Sequence, residues 1–375
     1  MKKVLRKLHR VLGLSVGLWA ALAAGTGSVL VFSDEIDALL NPHLLEVAPR
    51  STGFDLDGAV TAVRARFPDQ PLQALRLPRA ADQPVIVRVG VSQVTDVYLD
   101  PYSTQILGTR AEYGGVMGFL WDLHVHLLAG EVGETVAGVL GLFLLGMLVS
   151  GVVLWWPRRG QFAAGFRIRW DAAVLRRMFD LHRVAGVVAF PLLLIAVVTG
   201  AMLVFHQPTT AFLLATLGGP PRALPPQVEP PAGTGVQPVS RWIAGAEAAV
   251  PGAQPVSVHF PDRATAAATV RLRFGSNPHP NGRTFVAVDP HTGEAVHVHD
   301  WRKAGLGIRA ADYKYPLHIG AAFGLPGRLL VLITGLAPVL LLATGGFMWW
   351  RKRRVRRESR NVADVSRRTT EGVSS

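Results

Sequence analysis

The 375-residue chain carries 39 Lys/Arg against 26 Asp/Glu, a net charge of +13, with a mean hydropathy of +0.29. It contains no cysteine, which excludes disulfides, thiolate metal sites, iron–sulfur clusters and covalent haem attachment through CxxCH. The basic excess is local: residues 1–10, 157–183 and 351–375 hold 21 Lys/Arg and 5 Asp/Glu, or +16, and the remainder holds 18 and 21, or −3.

Four charge-free apolar runs follow in order: Val11–Phe32, Thr135–Trp156, Val184–Phe205 and Leu329–Trp350. Each is about 22 residues long, enough to cross a bilayer with some tilt. The basic segments hug the ends of these runs, where they set topology and meet anionic lipid rather than nucleic acid. Both termini and the 157–183 loop are therefore expected in the cytoplasm, with 33–134 and 206–328 outside, periplasmic in a Gram-negative cell. The first run follows Lys2, Lys3, Arg6 and Lys7 and contains ALAAG, a signal-peptide-like pattern. It continues to Phe32 and matches the third run, so a retained anchor is expected.

The chain reads as residues 1–32 (N-terminus and first span), 33–134 (first outside domain), 135–156 (second span) and 157–183 (basic loop). Residues 184–205 (third span), 206–328 (second outside domain), 329–350 (fourth span) and 351–375 (basic tail) complete it. In the first outside domain a helix is expected at Leu56–Phe67, ended by Pro68. Strands follow at Leu72–Leu77, Val85–Val91 and Thr95–Leu99, and a hairpin at Val97–Gly108. The second domain repeats the order: helix Val239–Val250, strands Pro255–Phe260 and Ala267–Phe274, hairpin Phe285–Val296. Its entry, 220–238, is proline-rich and expected to be an extended linker. The tail from about Ser359 is expected to be disordered.

The halves repeat. LHRVLG and TGSVLVF of the first span recur as LHRVAG and TGAMLVF in the third. LHVHLLAG and SGVVLWWPRR around the second span match LHIGAAFG and TGGFMWWRKR around the fourth, aligning His124 with His318 and Gly151 with Gly345. LHRxxG, FSDEIDALLNP, LDPYSTQILG and LHIGAAFGLPGR, in this order over roughly residues 3–355, resemble the PepSY-associated transmembrane family. The resemblance implies a mainly α membrane protein, internally duplicated: a four-transmembrane-helix bundle below two periplasmic α+β PepSY-like domains. It also implies a bacterial inner-membrane protein associated with iron uptake, similar in some members to haem-b ferric-siderophore reductases.

Histidine carries the remaining chemistry. His9 and His182 enter spans one and three at the basic side, and His124 and His318 enter spans two and four at the other side. Low-spin haem b takes two axial imidazoles and no cysteine, so His9 with His182 and His124 with His318 are the expected ligands of two haems. Arg10 and Arg183 could meet propionates, and Gly13 and Gly186 would leave room beside the imidazoles. His126 and His206 lie at a depth similar to His124 and are the weaker alternatives. His297 and His299 share one strand face and read either as a metal pair or as a solvated strand. No HExxH, P-loop or GxGxxG after a cytoplasmic strand occurs, so electrons would come from the quinol pool or a separate reductase. The expected function is electron transfer to a periplasmic acceptor, and the family resemblance implies that this acceptor is a ferric siderophore. A haem-free regulator or inhibitor of a periplasmic protease is the alternative, and a permease is disfavoured because the spans lack charge.

Overall fold

The computed structural model describes residues 2–229 and 235–373. The first span is two helices, α1 (Lys2–Ser15) and α2 (Gly17–Leu30), meeting at 53°. The Ser15 hydroxyl bonds back to the Val11 carbonyl at 2.9 Å, and Gly13 and Gly17 flank the break, two ordinary causes of a helix bend. Short helices α3 (Ser33–Leu40) and α4 (Pro42–Leu45) lead to α5 (Leu56–Arg66). Strands β1 (Leu72–Arg76), β2 (Val85–Val89), β3 (Thr95–Leu99) and β4 (Ile106–Ala111) come next. Helix α6 (Gly115–His126) then delivers the chain to α7 (Gly130–Trp155), and α8 (Phe162–Gly165) sits in the basic loop.

The second half runs α9 (Val174–Val204), α10 (His206–Leu217), α11 (Val239–Ala249), β5 (Gln254–His259), β6 (Ala268–Arg273), β7 (Thr284–Val288) and β8 (Ala295–His299). It closes with α12 (Leu306–His318), α13 (Gly324–Thr334) and α14 (Leu336–Val373). Residues 220–229 and 235–238 of the proline-rich stretch carry no regular structure, and 230–234 lie outside the described residues. The tail beyond Ser359 differs from expectation: α14 continues through it. No Gly or Pro interrupts Phe347–Glu371, and Arg354 pairs with Glu358 at i, i+4 (2.9 Å), so nothing local stops the helix.

All eight strands form one antiparallel sheet, ordered β4-β3-β2-β1-β5-β6-β7-β8. The two expected outside domains are thus joined edge to edge through β1 and β5, with Ala74 opposite His259 and Arg76 opposite Ser257. Pairing there satisfies backbone groups that two separate four-stranded sheets would expose at their edges. One face of the sheet packs against α5 and α11. Val60, Val63, Trp242 and Ile243 meet Val85, Val87, Val97, Val258, Val270 and Val286, most of them fully buried. Strand alternation places Arg88, Asp96, Arg271 and Phe285 on the opposite face.

Helices α7, α9 and a long segment over Ala321–Ser359 are each long and apolar enough to cross a membrane, and the bent α1–α2 pair passes the same test as one unit. The protein is therefore a membrane protein with three or four apolar spans and a separate antiparallel sheet domain. Helix α7 packs on α1 and α9, and α14 packs on α9 and α2. At their centre Val16, Ala20, Leu144, Leu148 and Leu193 are buried with Trp19 and Phe190 against them. Helices α6 and α12, which carry His124 and His318, are separate short elements ahead of the apolar spans. After α6 the chain turns through Leu127 (φ 51) and Leu128 (φ 60); after α12 glycines perform the corresponding turn at Gly320 (φ 76) and Gly324 (φ 60).

Candidate functional site

Two histidine pairs form where the helices cross. His9 on α1 and His182 on α9 have ring centroids 6.3 Å apart with planes at 86°. His124 on α6 and His318 on α12 are also 6.3 Å apart, at 50°. Each pair brings two imidazoles from different helices to a separation at which both could reach one metal ion, with bonds of about 2.0 Å each.

The hydrogen bonds around the rings repeat four times. His9 Nδ1 meets Ser150 Oγ at 2.9 Å and His124 Nδ1 meets Thr26 Oγ1 at 3.0 Å. His182 Nδ1 meets Thr344 Oγ1 at 2.9 Å, and His318 Nδ1 meets Thr199 Oγ1 at 3.2 Å and the Ala196 carbonyl at 2.9 Å. Each hydroxyl donates its own proton down its helix: Ser150 to Met147 O, Thr26 to Leu22 O, Thr344 to Leu340 O and Thr199 to Ile195 O. The hydroxyl must therefore accept from the ring, so each imidazole carries its proton on Nδ1. Nε2 keeps a free lone pair, and the tautomer follows from the network. This is how a ligating histidine is oriented by the groups behind it.

A glycine follows every one of these hydroxyl residues, and each lies under an imidazole. A Cβ on Gly27 would come 2.8 Å from His124 Cε1, on Gly200 3.0 Å from His318 Cε1, and on Gly151 and Gly345 3.3 Å from His9 and His182. The signal was present in the sequence as SG or TG at 150–151, 26–27, 344–345 and 199–200. The expected glycines, Gly13 and Gly186, do something else: their Cβ positions lie at ordinary contact distance from Met147 Sδ and a Leu341 methyl. The imidazoles reach across to the neighbouring helix instead of lying along their own, so the space is needed on that helix.

The remaining candidates separate from the pairs. Arg183 meets Asp180 at 3.2 Å and the Arg167 carbonyl at 2.8 Å in the basic loop, and its Nε is buried with no partner among the described residues. Asp180 is fully buried and also meets Arg176 at 3.0 Å, so it ties the loop to α9. Arg10 is exposed on α1. His126 bonds Asp122 at 2.9 Å and stands edge-on to Tyr113. His206 opens α10 and accepts from Lys314 Nζ at 3.0 Å; burial and that ammonium push its pKa down. Neither His126 nor His206 faces a second histidine. His297 and His299 lie over the sheet beside Arg222. Among the described residues no group of three or more His, Asp or Glu could hold a metal ion.

Helix α9 bears on both sites, through His182 near its start and Thr199–Gly200 near its end. Seventeen to eighteen residues of helix set them roughly 26 Å apart, with the Leu144, Leu148, Leu193 and Phe190 layer between.

Comparison with known proteins places this arrangement. The chain matches the model of the PepSY-associated TM region over residues 6–352 and belongs to the PepSY-associated transmembrane family. It is 28% identical over 261 residues to the uncharacterized protein PA4219 of Pseudomonas aeruginosa, covering 63% of this chain and 64% of that protein. The match thus spans a little under two thirds of that relative's length.

Proposed function

We propose that this member of the PepSY-associated transmembrane family is a di-haem b electron-transfer protein of a bacterial inner membrane, with both termini cytoplasmic, that reduces a periplasmic acceptor. The observation that carries the reading is the repeated pair: two imidazoles 6.3 Å apart, each with Nδ1 tied to a hydroxyl and Nε2 free. Such a site offers two neutral nitrogen ligands and no carboxylate. That suits a metal whose other positions are filled by a planar macrocycle, and it does not complete a tetrahedral zinc site.

Haem b held there supplies one-electron chemistry. The protein's own residues do the rest. His9 and His182 hold the site at the basic side, and His124 and His318 hold the one beside the sheet. Ser150, Thr26, Thr344 and Thr199 lock the ring planes and raise ligand basicity by accepting from Nδ1–H. The apolar layer around Trp19, Leu144, Phe190 and Leu193 keeps the region between the sites dry, where a low dielectric favours stable redox states over proton leakage. The outer pair sits on α6 and α12, the helices that lead away from the sheet, so an acceptor docked on the sheet domain is the nearer partner of that pair. A ferric siderophore as acceptor follows from the family resemblance alone, and a quinol or separate reductase as donor from the lack of a nucleotide-binding motif in the sequence.

Oxidised and reduced visible spectra of the purified protein, with a haem-to-protein ratio, test the reading. A ratio near two with low-spin bis-imidazole bands is expected. A haem-free preparation from haem-replete cells, or a spectrum indifferent to alanine at all four histidines, refutes it.

A further inference from the structure

The face of the sheet opposite α5 and α11 is built differently in its two halves. Arg88 on β2 and Arg271 on β6 hold corresponding places, VRV and VRL, each in the central rows of its half-sheet. The cross-strand neighbour of Arg88 is Asp96, and the neighbour of Asp96 is Arg110. The cross-strand neighbour of Arg271 is Phe285, and that of Phe285 is His299. A carboxylate in one half is thus a phenyl ring in the other.

The charges follow. Arg88 grips Asp96 with two bonds of 2.8 and 3.0 Å and Glu112 at 3.2 Å, and Arg110 meets Asp37 at 2.6 Å. Among the described residues Arg271 has no ion pair, and its buried Nε has no hydrogen-bond partner. Nearby Arg222 and Arg283 share a single acid, Asp312, at 3.4 and 3.5 Å, and Lys314 is 3% exposed and bonds only neutral groups. Four cations therefore stand against one carboxylate. Burial and the neighbouring guanidiniums push Arg271 down to about 10. Arg222 and Arg271 both lie over the Phe285 ring, at 4.4 and 5.2 Å.

A cavity of about 340 Å³ opens on this face, lined by Arg222, Leu224, Phe285, His297 and His299 among others. That is the size of a small-molecule site. His299 Nε2 is buried there without a partner, and Leu224 at the rim is 89% exposed, so the cavity is reached from solvent. Lys314 stands one helical turn before His318 on α12, which connects the cationic cluster to the outer histidine pair.

We infer that this cavity over β6–β8, beneath residues 222–225, binds a multiply charged carboxylate anion from solution. The ligand's carboxylates take the place that Asp96 occupies in the first half, meeting Arg222 and an N–H at the unpartnered Nε2 of His299, with Phe285 as an apolar floor and Arg271 against that ring beside the cavity. Guanidiniums that outnumber their carboxylates in a partly desolvated cleft are the donors that bidentate carboxylate recognition uses. Naming the anion as a ferric carboxylate chelate rests on the redox reading; the anion site itself does not.

Calorimetric titration of the full-length, detergent-solubilised protein with citrate and with redox-inert gallium(III) citrate tests the site, with acetate as the monovalent control. Wild type is expected to bind citrate or its gallium complex saturably and acetate at least tenfold more weakly. Arg222→Gln and Phe285→Asp are each expected to weaken citrate at least tenfold, the second by giving Arg271 an internal carboxylate. Arg222 lies in an irregular segment, so its removal leaves the sheet intact. Arg88→Gln is expected to leave binding unchanged. Absence of saturable binding, citrate binding as tight as wild type in both cleft variants, or an equal loss in Arg88→Gln overturns the site. Citrate binding that persists in a protein found to contain no haem supports the site and removes only the redox reading.

Discussion

The helical layer and the sheet treat the internal repeat in opposite ways. In the helices the repeat is kept: imidazole, hydroxyl and glycine recur at four places, and the two pairs have the same 6.3 Å separation. In the sheet the backbone register is kept and the chemistry is not. Asp96 and Glu112 neutralise Arg88 and Asp37 neutralises Arg110 in the first half, whereas Arg271, Phe285 and His299 leave a positive charge in the second. A shared scaffold with shared side chains reads as two copies of one task. The same scaffold with different side chains reads as a structural half and a half open to a ligand.

The largest expected effect tests the symmetry of the helical layer. His9→Ala and His124→Ala should each remove one haem, lowering the haem-to-protein ratio from about two to about one. His126→Ala should leave the ratio unchanged. A loss of both haems in either single variant, or any loss in His126→Ala, breaks the equivalence of the pairs.

The asymmetry of the sheet should appear in stability. Asp96→Ala strips Arg88 of its bidentate partner and is expected to cost about 2 kcal/mol in chemical unfolding, since it leaves a partly buried guanidinium with Glu112 alone. Arg271→Gln removes a charge that has no partner and is expected to cost nothing or to stabilise. Equal losses would show that the two halves are not distinguished by pairing.

Within the helical layer a smaller difference is expected between the two sites. Thr26→Val should weaken haem retention at the outer site by about tenfold, as losses behind a metal ligand do. Gly27→Ala should disturb the outer site more than Gly151→Ala disturbs the inner one, because its Cβ meets the imidazole at 2.8 rather than 3.3 Å. Haem dissociation followed by transfer to an acceptor apoprotein measures both.

The smallest effect is in the response to acid. Burial holds His279 down to about 3 and His299 to about 4, with neighbouring guanidiniums adding to it. Their unfolded forms take up a proton near 6.5, so the neutral forms stabilise the second half fully above that pH, and this contribution is lost as pH falls from 6.5 toward 4. In the first half, burial works to raise Asp100, but the Tyr102 and Ser103 N–H groups and Arg50 hold it below the usual carboxylate range. Its contribution is lost only at lower pH. Hydrogen exchange at pH 5 should therefore quicken in β6–β8 before β2–β4, and simultaneous loosening would contradict this order.

Much of this was legible locally. The apolar runs, the alternation in β2 and β6, the DP turns at Asp100 and Asp289, and the repeated LHR and LH contexts are set by residues within one or two turns or strands of each other. Helix and strand periods and turn chemistry act over that range. The four paired histidines could be singled out because the sequence repeats around them.

What lay beyond that range was decided by packing. Ser150 serves His9 across 141 residues and Thr344 serves His182 across 162, so the reason for each SG or TG was invisible until the helices crossed. Gly13 and Gly186 serve plain packing, because the imidazoles point to a neighbouring helix. The joining of β1 to β5 follows from two open edges meeting, which neither half encodes alone. By itself the sequence determined which elements form and which residues repeat. The tertiary structure decided which nitrogen each imidazole leaves free and which guanidinium has no acid, because a side chain's partner is chosen by what packs against it in space.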